Sequence, residues 1–198
     1  MKILIATIYQ PHAILTICNK FAIESVIALI DETPDKTMIE SIRIIEESLG
    51  KVLKFKTQVT DLYNILSVAS EIVNIIDEIP EKEEIFIDIT SGRKPKSLGL
   101  LYGSYARAKR IKQITYVQEE NNQPILLPKM FYPINESQLQ ILHIIKDNKE
   151  INTAGIAKKI KFSRGLVYRY IKELTEINVI TKDNEQIKLT DFGEIVLL

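Results

Sequence analysis

Short apolar runs alternate with amphipathic helical patterns through the first two-thirds of the chain. A nearly continuous apolar run such as Ile85–Ile89 suits a strand that is buried on both faces of a parallel sheet. The predicted strands are Lys2–Ile8, Ser25–Ile30, Val52–Thr57, Ile85–Ile89 and Gln113–Gln118, and the predicted helices are His12–Lys20, Lys36–Leu49, Asp61–Ile79 and Pro95–Arg107. This alternation predicts an α/β fold with a doubly wound, Rossmann-like parallel sheet.

A different pattern begins near residue 128. The segment 121–124, Pro128 and Pro133 indicate irregular backbone, and Asn135 with Gln138 then forms the signal of a capped helix start. The elements predicted after this first helix are helices at Ala154–Ile160 and Arg164–Ile177, and a hairpin of Val179–Lys182 and Gln186–Thr190 joined through Asp183 and Asn184. Three helices followed by a two-stranded ribbon predict a winged helix-turn-helix. We therefore expect one domain at 1–128 and a second at 129–198.

The loop after the fourth predicted strand has the composition of an anion site. Thr90, Ser91 and Gly92 lead to a helix that Pro95 helps to start, and helix N-termini attract anions. The cationic side chains expected at the opening of this anion site are Arg93, Lys94 and Lys96. The pattern predicts a phosphate-binding loop at the carboxyl edge of the sheet. The alternative is a solvated connection that binds nothing.

The loop after the first predicted strand lacks glycine, so the dinucleotide-binding fingerprint is missing. This absence argues against a nicotinamide or flavin dehydrogenase. Thr7, Tyr9 and Gln10 leave the same sheet edge as the Thr90–Lys94 loop and are expected to line a shared pocket. Alternatively, Tyr9 only covers the sheet and Pro11 only begins a helix.

Composition limits the partners. Lys and Arg total 26 and Asp and Glu total 26, so any nucleic-acid surface must be local. The single cysteine, Cys18, excludes an intramolecular disulfide and a cysteine-based zinc site, and we expect it to be buried on the first helix. We see neither a signal sequence nor a membrane-spanning stretch, and expect a cytoplasmic protein without a membrane partner.

The third helix of the second domain has the pattern of a recognition helix. Val167, Ile171 and Leu174 share one face, and the opposite face is polar and basic. Six basic residues and no acidic residue lie between positions 158 and 172. The candidate DNA-binding residues are Lys161, Ser163, Arg164, Tyr168, Arg169 and Lys172. The alternative is a solvated basic helix in a protein–protein module.

Both halves together resemble CRISPR-associated transcriptional regulators that join a CARF (CRISPR-associated Rossmann-fold) domain to a winged-helix DNA-binding domain. The resemblance rests on Asp88–Lys94, read as Asp-Ile-Thr-Ser-Gly-Arg-Lys, and on the winged helix after it. It implies a homodimer that binds cyclic oligoadenylate, commonly cyclic tetra-adenylate, and double-stranded promoter DNA in allosteric regulation of antiviral defence. No cofactor or metal is implied. The ligand-binding residues implied are Thr7, Tyr9, Gln10, Thr90, Ser91, Gly92, Arg93 and Lys94.

Three further interpretations accompany the resemblance. Some relatives cleave their ligand, and in a metal-independent ring nuclease Ser91, Arg93 and Lys94 would stabilise the developing phosphate charge. Gly99 and Gly103 are spaced for close packing, either near the dimer axis or of the helix on its own sheet. An effector ribonuclease is disfavoured, because His143 has no arginine a few residues before it.

Overall fold

The computed structural model of the chain describes residues 1–130, 134–148, 151–183 and 186–198. The chain divides into two units, Met1–Phe131 and Tyr132–Leu198. Within the described ranges, none of the helices is long and apolar enough to cross a membrane.

The first unit is a six-stranded sheet in the order β3-β2-β1-β4-β5-β6, with helices between the strands. Its strands are β1 (Lys2–Thr7), β2 (Ser25–Ile30), β3 (Lys54–Val59), β4 (Glu84–Asp88), β5 (Ile111–Val117) and β6 (Pro124–Leu127). Its helices are α1 (His12–Phe21), α2 (Lys36–Leu49), α3 (Ile65–Glu78) and α4 (Lys94–Ala106). All neighbouring strands are parallel except β5 and β6. The predicted α/β fold with a doubly wound sheet is confirmed.

The core of the first unit lies between the central strands and the flanking helices, because both faces of β1, β2 and β4 are apolar. Leu4 and Ala28 pack on one face with Ile14 of α1 and Ile45 of α2. The apolar stripe of α3 is also buried, and α3 packs against α4. Cys18 is buried on α1, as expected, where burial raises the pKa of its thiol to about 12.

Gly99 and Gly103 bring α4 close to α3. A Cβ at Gly99 would lie 2.5 Å from the Cβ of Val68, and one at Gly103 would lie 2.6 Å from the carbonyl oxygen of Ala69. The two glycines therefore serve helix packing within one chain. The expectation that this spacing seats the helix on the sheet is corrected, because the glycines face α3, and a contact at a dimer axis stays a prediction.

Several boundaries in this unit differ from the prediction by one to four residues, and one strand was not predicted. β3 begins at Lys54 because the amides of Val52 and Leu53 still donate to the carbonyl of Leu49 at the end of α2. α3 begins at Ile65 because Asn64 caps it. The segment expected to be irregular contains β6, an antiparallel edge strand.

The second unit has the predicted order of three helices and a hairpin. Its elements are α5 (Glu136–Lys146), α6 (Thr153–Lys159), α7 (Arg164–Glu176), β7 (Ile180–Asp183), β8 (Gln186–Leu189) and a short α8 (Asp191–Val196) that the sequence did not predict. The capping box of Asn135 and Gln138 is present at the start of α5. A separate core includes Leu142, Ile156 and Leu174. The winged helix-turn-helix is confirmed, while Pro133 and Asn184 lie outside the described residues.

Candidate ligand cleft and nucleic-acid interface

A cleft of about 520 Å³ opens at the carboxyl edge of the sheet, where strand order reverses between β1 and β4. Three segments line it: the loop after β1, the loop after β4 and the tip of the β5–β6 hairpin. The lining residues are Tyr9, Gln10, His12, Thr90, Ser91, Gly92, Glu119 and Asn122. The fold thus brings five of the eight predicted ligand residues to one cavity.

Thr90 anchors the loop after β4 to the sheet. Its Oγ1 donates to Asp88 Oδ1 at 2.7 Å and accepts from the backbone amide of Val117 at 2.7 Å. Its own amide donates to Asp88 Oδ2 at 3.4 Å. Because these bonds use the hydroxyl both as donor and as acceptor, Thr90 positions the loop.

Asp88 is the buried centre of this anchor. The residue is 0% exposed, and Thr115 Oγ1 donates to its Oδ1 at 3.1 Å. Burial raises the pKa of this carboxyl to about 6, and the hydrogen bonds from Thr90 and Thr115 oppose the rise. In the sequence Asp88 stood out only as the first member of a motif. An acid at the end of an apolar strand, two residues before a threonine, was the available signal.

Thr7 and Gly92 shape the turn of the same loop. Thr7 is fully buried beneath the loop, where its Oγ1 donates to the carbonyl of Ser91, and Ser97 Oγ donates to that carbonyl at 3.0 Å. Gly92 has a φ of +85°, and a Cβ there would lie 3.1 Å from the Cβ of Thr7. Only glycine adopts this turn without strain. Thr7 thus supports the cleft from below.

The three predicted cations occupy different environments. Lys94 is exposed as the first residue of α4. Arg93 is half-exposed, with its Nε 3.6 Å from Asp31 Oδ2. Lys96 is 1% exposed, and its Nζ donates to Asp31 Oδ1 at 2.6 Å and to the carbonyl of Ile30 at 2.7 Å. The expectation that Lys96 is a cation at the opening of the anion site is wrong, because its charge is paired inside the protein.

Asp31 was missed by sequence reasoning. It directly follows β2, so the parallel sheet brings it to the same edge as the loop after β4. The buried ion pair links the first turn of α4 to the end of β2. The pairing was missed because Asp31 and Lys96 are 65 residues apart along the chain. An acidic residue directly after a buried strand was nevertheless a recognisable signal.

Helix α7 displays the candidate nucleic-acid interface. Val167, Ile171 and Leu174 are buried, whereas the polar face is open to solvent. The exposed residues include all six candidates, Lys161, Ser163, Arg164, Tyr168, Arg169 and Lys172. Ser163 also caps α7 by accepting from the amide of Leu166 at 3.3 Å.

Neighbouring groups modify this surface. Arg169 Nε lies 3.5 Å from Glu173 Oε1, and Lys172 Nζ lies 3.8 Å from Glu176 Oε1. Such exposed pairs within a helix are weak, so both cations stay available to an anion. Sequence reasoning missed Lys182, an exposed residue of β7 that lines a shallow hollow together with Tyr168. The β7–β8 hairpin brings Lys182 next to α7.

Comparison with known proteins finds a family match in the second unit and fold similarity over most of the chain. Residues 134–181 match the family described as winged helix-turn-helix DNA-binding. No curated protein matches the chain by sequence. Among solved structures, protein VC1899 from Vibrio cholerae aligns with a TM-score of 0.53 at 12% identity, over 98% of this chain and 65% of that one.

Two further structures resemble the chain. Csm6 from Enterococcus italicus, bound to cyclic hexa-2'-fluoro-hexa-dAMP, aligns with a TM-score of 0.50 at 12% identity, over 90% of this chain and 55% of that one. Can2 from Sulfobacillus thermosulfidooxidans, in complex with cyclic tetra-adenylate, has a TM-score of 0.49 at 11% identity, over 98% of this chain and 62% of that one. The chain therefore spans between 55% and 65% of the lengths of these relatives. Residues 134–181 therefore form a winged helix-turn-helix that matches a DNA-binding family, and they follow an α/β domain whose fold is similar to the folds of VC1899 and Csm6.

Proposed function

We propose that the protein is a CRISPR-associated transcriptional regulator that binds cyclic oligoadenylate, with cyclic tetra-adenylate as the expected ring, and double-stranded DNA. The observation that carries the proposal is one chain that combines a cleft at the strand-order reversal with a DNA-binding segment.

The chemistry of the cleft supports an anionic ligand. Ser91 and Gly92 line it, and α4 begins two residues after Gly92 with the exposed cation Lys94. Backbone amides and the helix dipole favour a phosphate at such a point. The fold likeness to Csm6, whose structure contains a cyclic oligonucleotide, supports a ring of linked nucleotides as the ligand class.

A homodimer would fit such a ring. A two-fold symmetric ring presents the same groups to two identical clefts, as an isologous dimer requires. Binding would regulate DNA affinity if the ring prefers one dimer geometry, because two recognition helices must match half-sites about 34–36 Å apart or a multiple of that distance.

Calorimetric titration with cyclic tetra-adenylate tests the ligand. Lys94→Ala should weaken binding about tenfold or more, because a charge-assisted contact contributes roughly 1.5–3 kcal/mol. The matched control is Lys51→Ala, an exposed lysine before β3 at the opposite edge of the sheet. Equal affinity of wild type and Lys94→Ala would contradict the assignment of the loop.

The same titration tests the enzymatic alternative. Analysis of the recovered ligand should return intact rings if the protein is only a sensor. Linear fragments would instead favour the metal-independent ring nuclease, and Ser91→Ala would then be expected to slow their formation.

Fluorescence anisotropy with a DNA duplex at several salt concentrations tests the second unit. Replacing both Arg164 and Arg169 with alanine should weaken binding and lower the salt slope, by about 0.9 for each phosphate that the variant no longer neutralises. The charge-matched control replaces Lys20 and Lys109, two exposed lysines of the first unit. An equal decrease in affinity for test and control variants would assign the effect to net charge and refute the interface.

A further inference from the structure

Gly165 is a glycine that the packing of the chain does not explain. The sequence contains seven glycines. A Cβ added at any of the other six would lie 2.2–3.1 Å from another atom of the protein, and these are Gly50, Gly92, Gly99, Gly103, Gly155 and Gly193. A Cβ at Gly165 would have no neighbour within 4 Å outside its own stretch of helix, among the residues that the structure describes. Its φ also lies outside the left-handed region.

A glycine at this position lowers the stability of the second unit. Gly165 is the second residue of α7, and glycine in a helix is less favourable than alanine because it loses more backbone entropy on folding. Alanine would fit here without a steric clash and would favour the helix. A contact with another molecule, which needs the space of the missing side chain, gives this glycine a physical reason.

Gly165 lies at the centre of the exposed face of α7. In a helix, position 165 points directly away from position 174, and Leu174 is buried in the core of the second unit. The neighbours of Gly165 on this face are Arg164, Tyr168 and Arg169, which are all exposed. Three long side chains therefore surround a position that has none. This depression lies within residues 134–181, the segment that matches the DNA-binding family.

Resting on the proposed DNA binding, we infer that Gly165 is a specificity-determining residue that lets the first turn of α7 reach the base edges in the major groove. A helix with its side chains is about 10–12 Å across, and the major groove is about 12 Å wide. A side chain at the centre of the inserted face therefore limits how deeply the helix enters. Without one, Arg164 and Arg169 on either side come within reach of guanine edges, which arginine binds with two hydrogen bonds.

Fluorescence anisotropy with two short DNA duplexes tests this inference. Wild type selects the first duplex from a random-sequence library, with and without cyclic tetra-adenylate, and the second has the same composition in scrambled order. Gly165→Ala should weaken binding to the selected duplex about tenfold, as for the loss of one base contact. Binding to the scrambled duplex should change less than about twofold, because it depends on phosphate charge.

Two further measurements accompany the titration. Gly165→Ala should raise the melting temperature of the chain by about 2 °C or more, because alanine favours the helix. The variant therefore folds, and a weaker affinity reports on the contact with DNA. The matched control is Ser48→Ala, which adds the same helix former at an exposed position of α2 in the first unit and should leave both affinities unchanged.

The outcomes separate this inference from the proposed function. Unchanged affinity of Gly165→Ala for the selected duplex would overturn the inference alone. An equal decrease for both duplexes would place the sugar-phosphate backbone at Gly165 and would also overturn it. A lower melting temperature would show that the glycine serves the fold, with the same consequence. Failure of wild type to enrich any duplex would overturn the proposed DNA binding together with the inference.

Discussion

Removing the charge of Lys96 should destabilise the first unit strongly. Lys96→Met keeps most of the aliphatic side chain and deletes the two hydrogen bonds of Nζ, at 2.6 Å to Asp31 and 2.7 Å to the carbonyl of Ile30. The Asp31 side chain is 11% exposed, so water replaces the missing ammonium group poorly.

The size of the effect follows from the surroundings of Asp31. Removal of one partner of a buried ion pair costs about 3–5 kcal/mol. Arg93 lies 3.6 Å from the same carboxylate but is 47% exposed, so it compensates in part. We therefore expect a destabilisation of about 3 kcal/mol, which corresponds to a decrease of about 10 °C in melting temperature for a unit of this size.

Differential scanning calorimetry of the full chain measures this decrease. The control Lys94→Met makes the same substitution two residues earlier, at an exposed position, and should change the melting temperature by less than about 2 °C. The double variant Lys96→Met with Asp31→Leu removes both charges and should recover much of the stability. A decrease below about 3 °C for Lys96→Met, or a double variant less stable than the single one, would refute the reasoning.

Two more predictions concern the loop after β4. The pKa of Asp88 is raised to about 6 in the folded state from an ordinary value of 3.8, so the folded protein binds its proton more tightly. Protonation of this carboxyl therefore contributes stability below pH 4 that is lost as pH rises through 6. The free energy of unfolding of wild type relative to Asp88→Asn, measured with urea, should be about 2 kcal/mol larger at pH 4.5 than at pH 7.5. A difference that is the same at both pH values would contradict this prediction. Gly92→Ala should lower the free energy of unfolding by about 1–2 kcal/mol and weaken ligand binding, because alanine at a φ of +85° is strained and its Cβ contacts Thr7. Unchanged urea unfolding and ligand titration curves would contradict this prediction.

Much of the architecture was predictable because it depends on local pattern. The bounds of β2 and α2 agree with the prediction, since a buried apolar run and an amphipathic repeat each specify their own periodicity. The capping box at Asn135 was equally readable, because both of its bonds join residues three apart.

β6 was not predictable from its own residues. Ile125 and Leu126 are exposed, so the segment lacks the alternation of a half-buried strand. It is a strand because the open edge of β5 offers hydrogen-bond partners to its backbone. The hairpin tip that carries Glu119 follows from that pairing, and so does the third wall of the cleft.

The sequence by itself determined the strands and helices other than β6 and α8. It also determined that a polar glycine loop follows β4 and that basic residues lie on the exposed face of α7. These properties depend on neighbours within a few positions along the chain. Only the tertiary structure decided which polar groups line the cleft and which are buried beneath it. It paired Lys96 with Asp31, 65 residues away, and used the Thr90 hydroxyl on Asp88 and Val117. Burial removes water from these groups, so each must find a partner within the fold, and that partner is set by strand order.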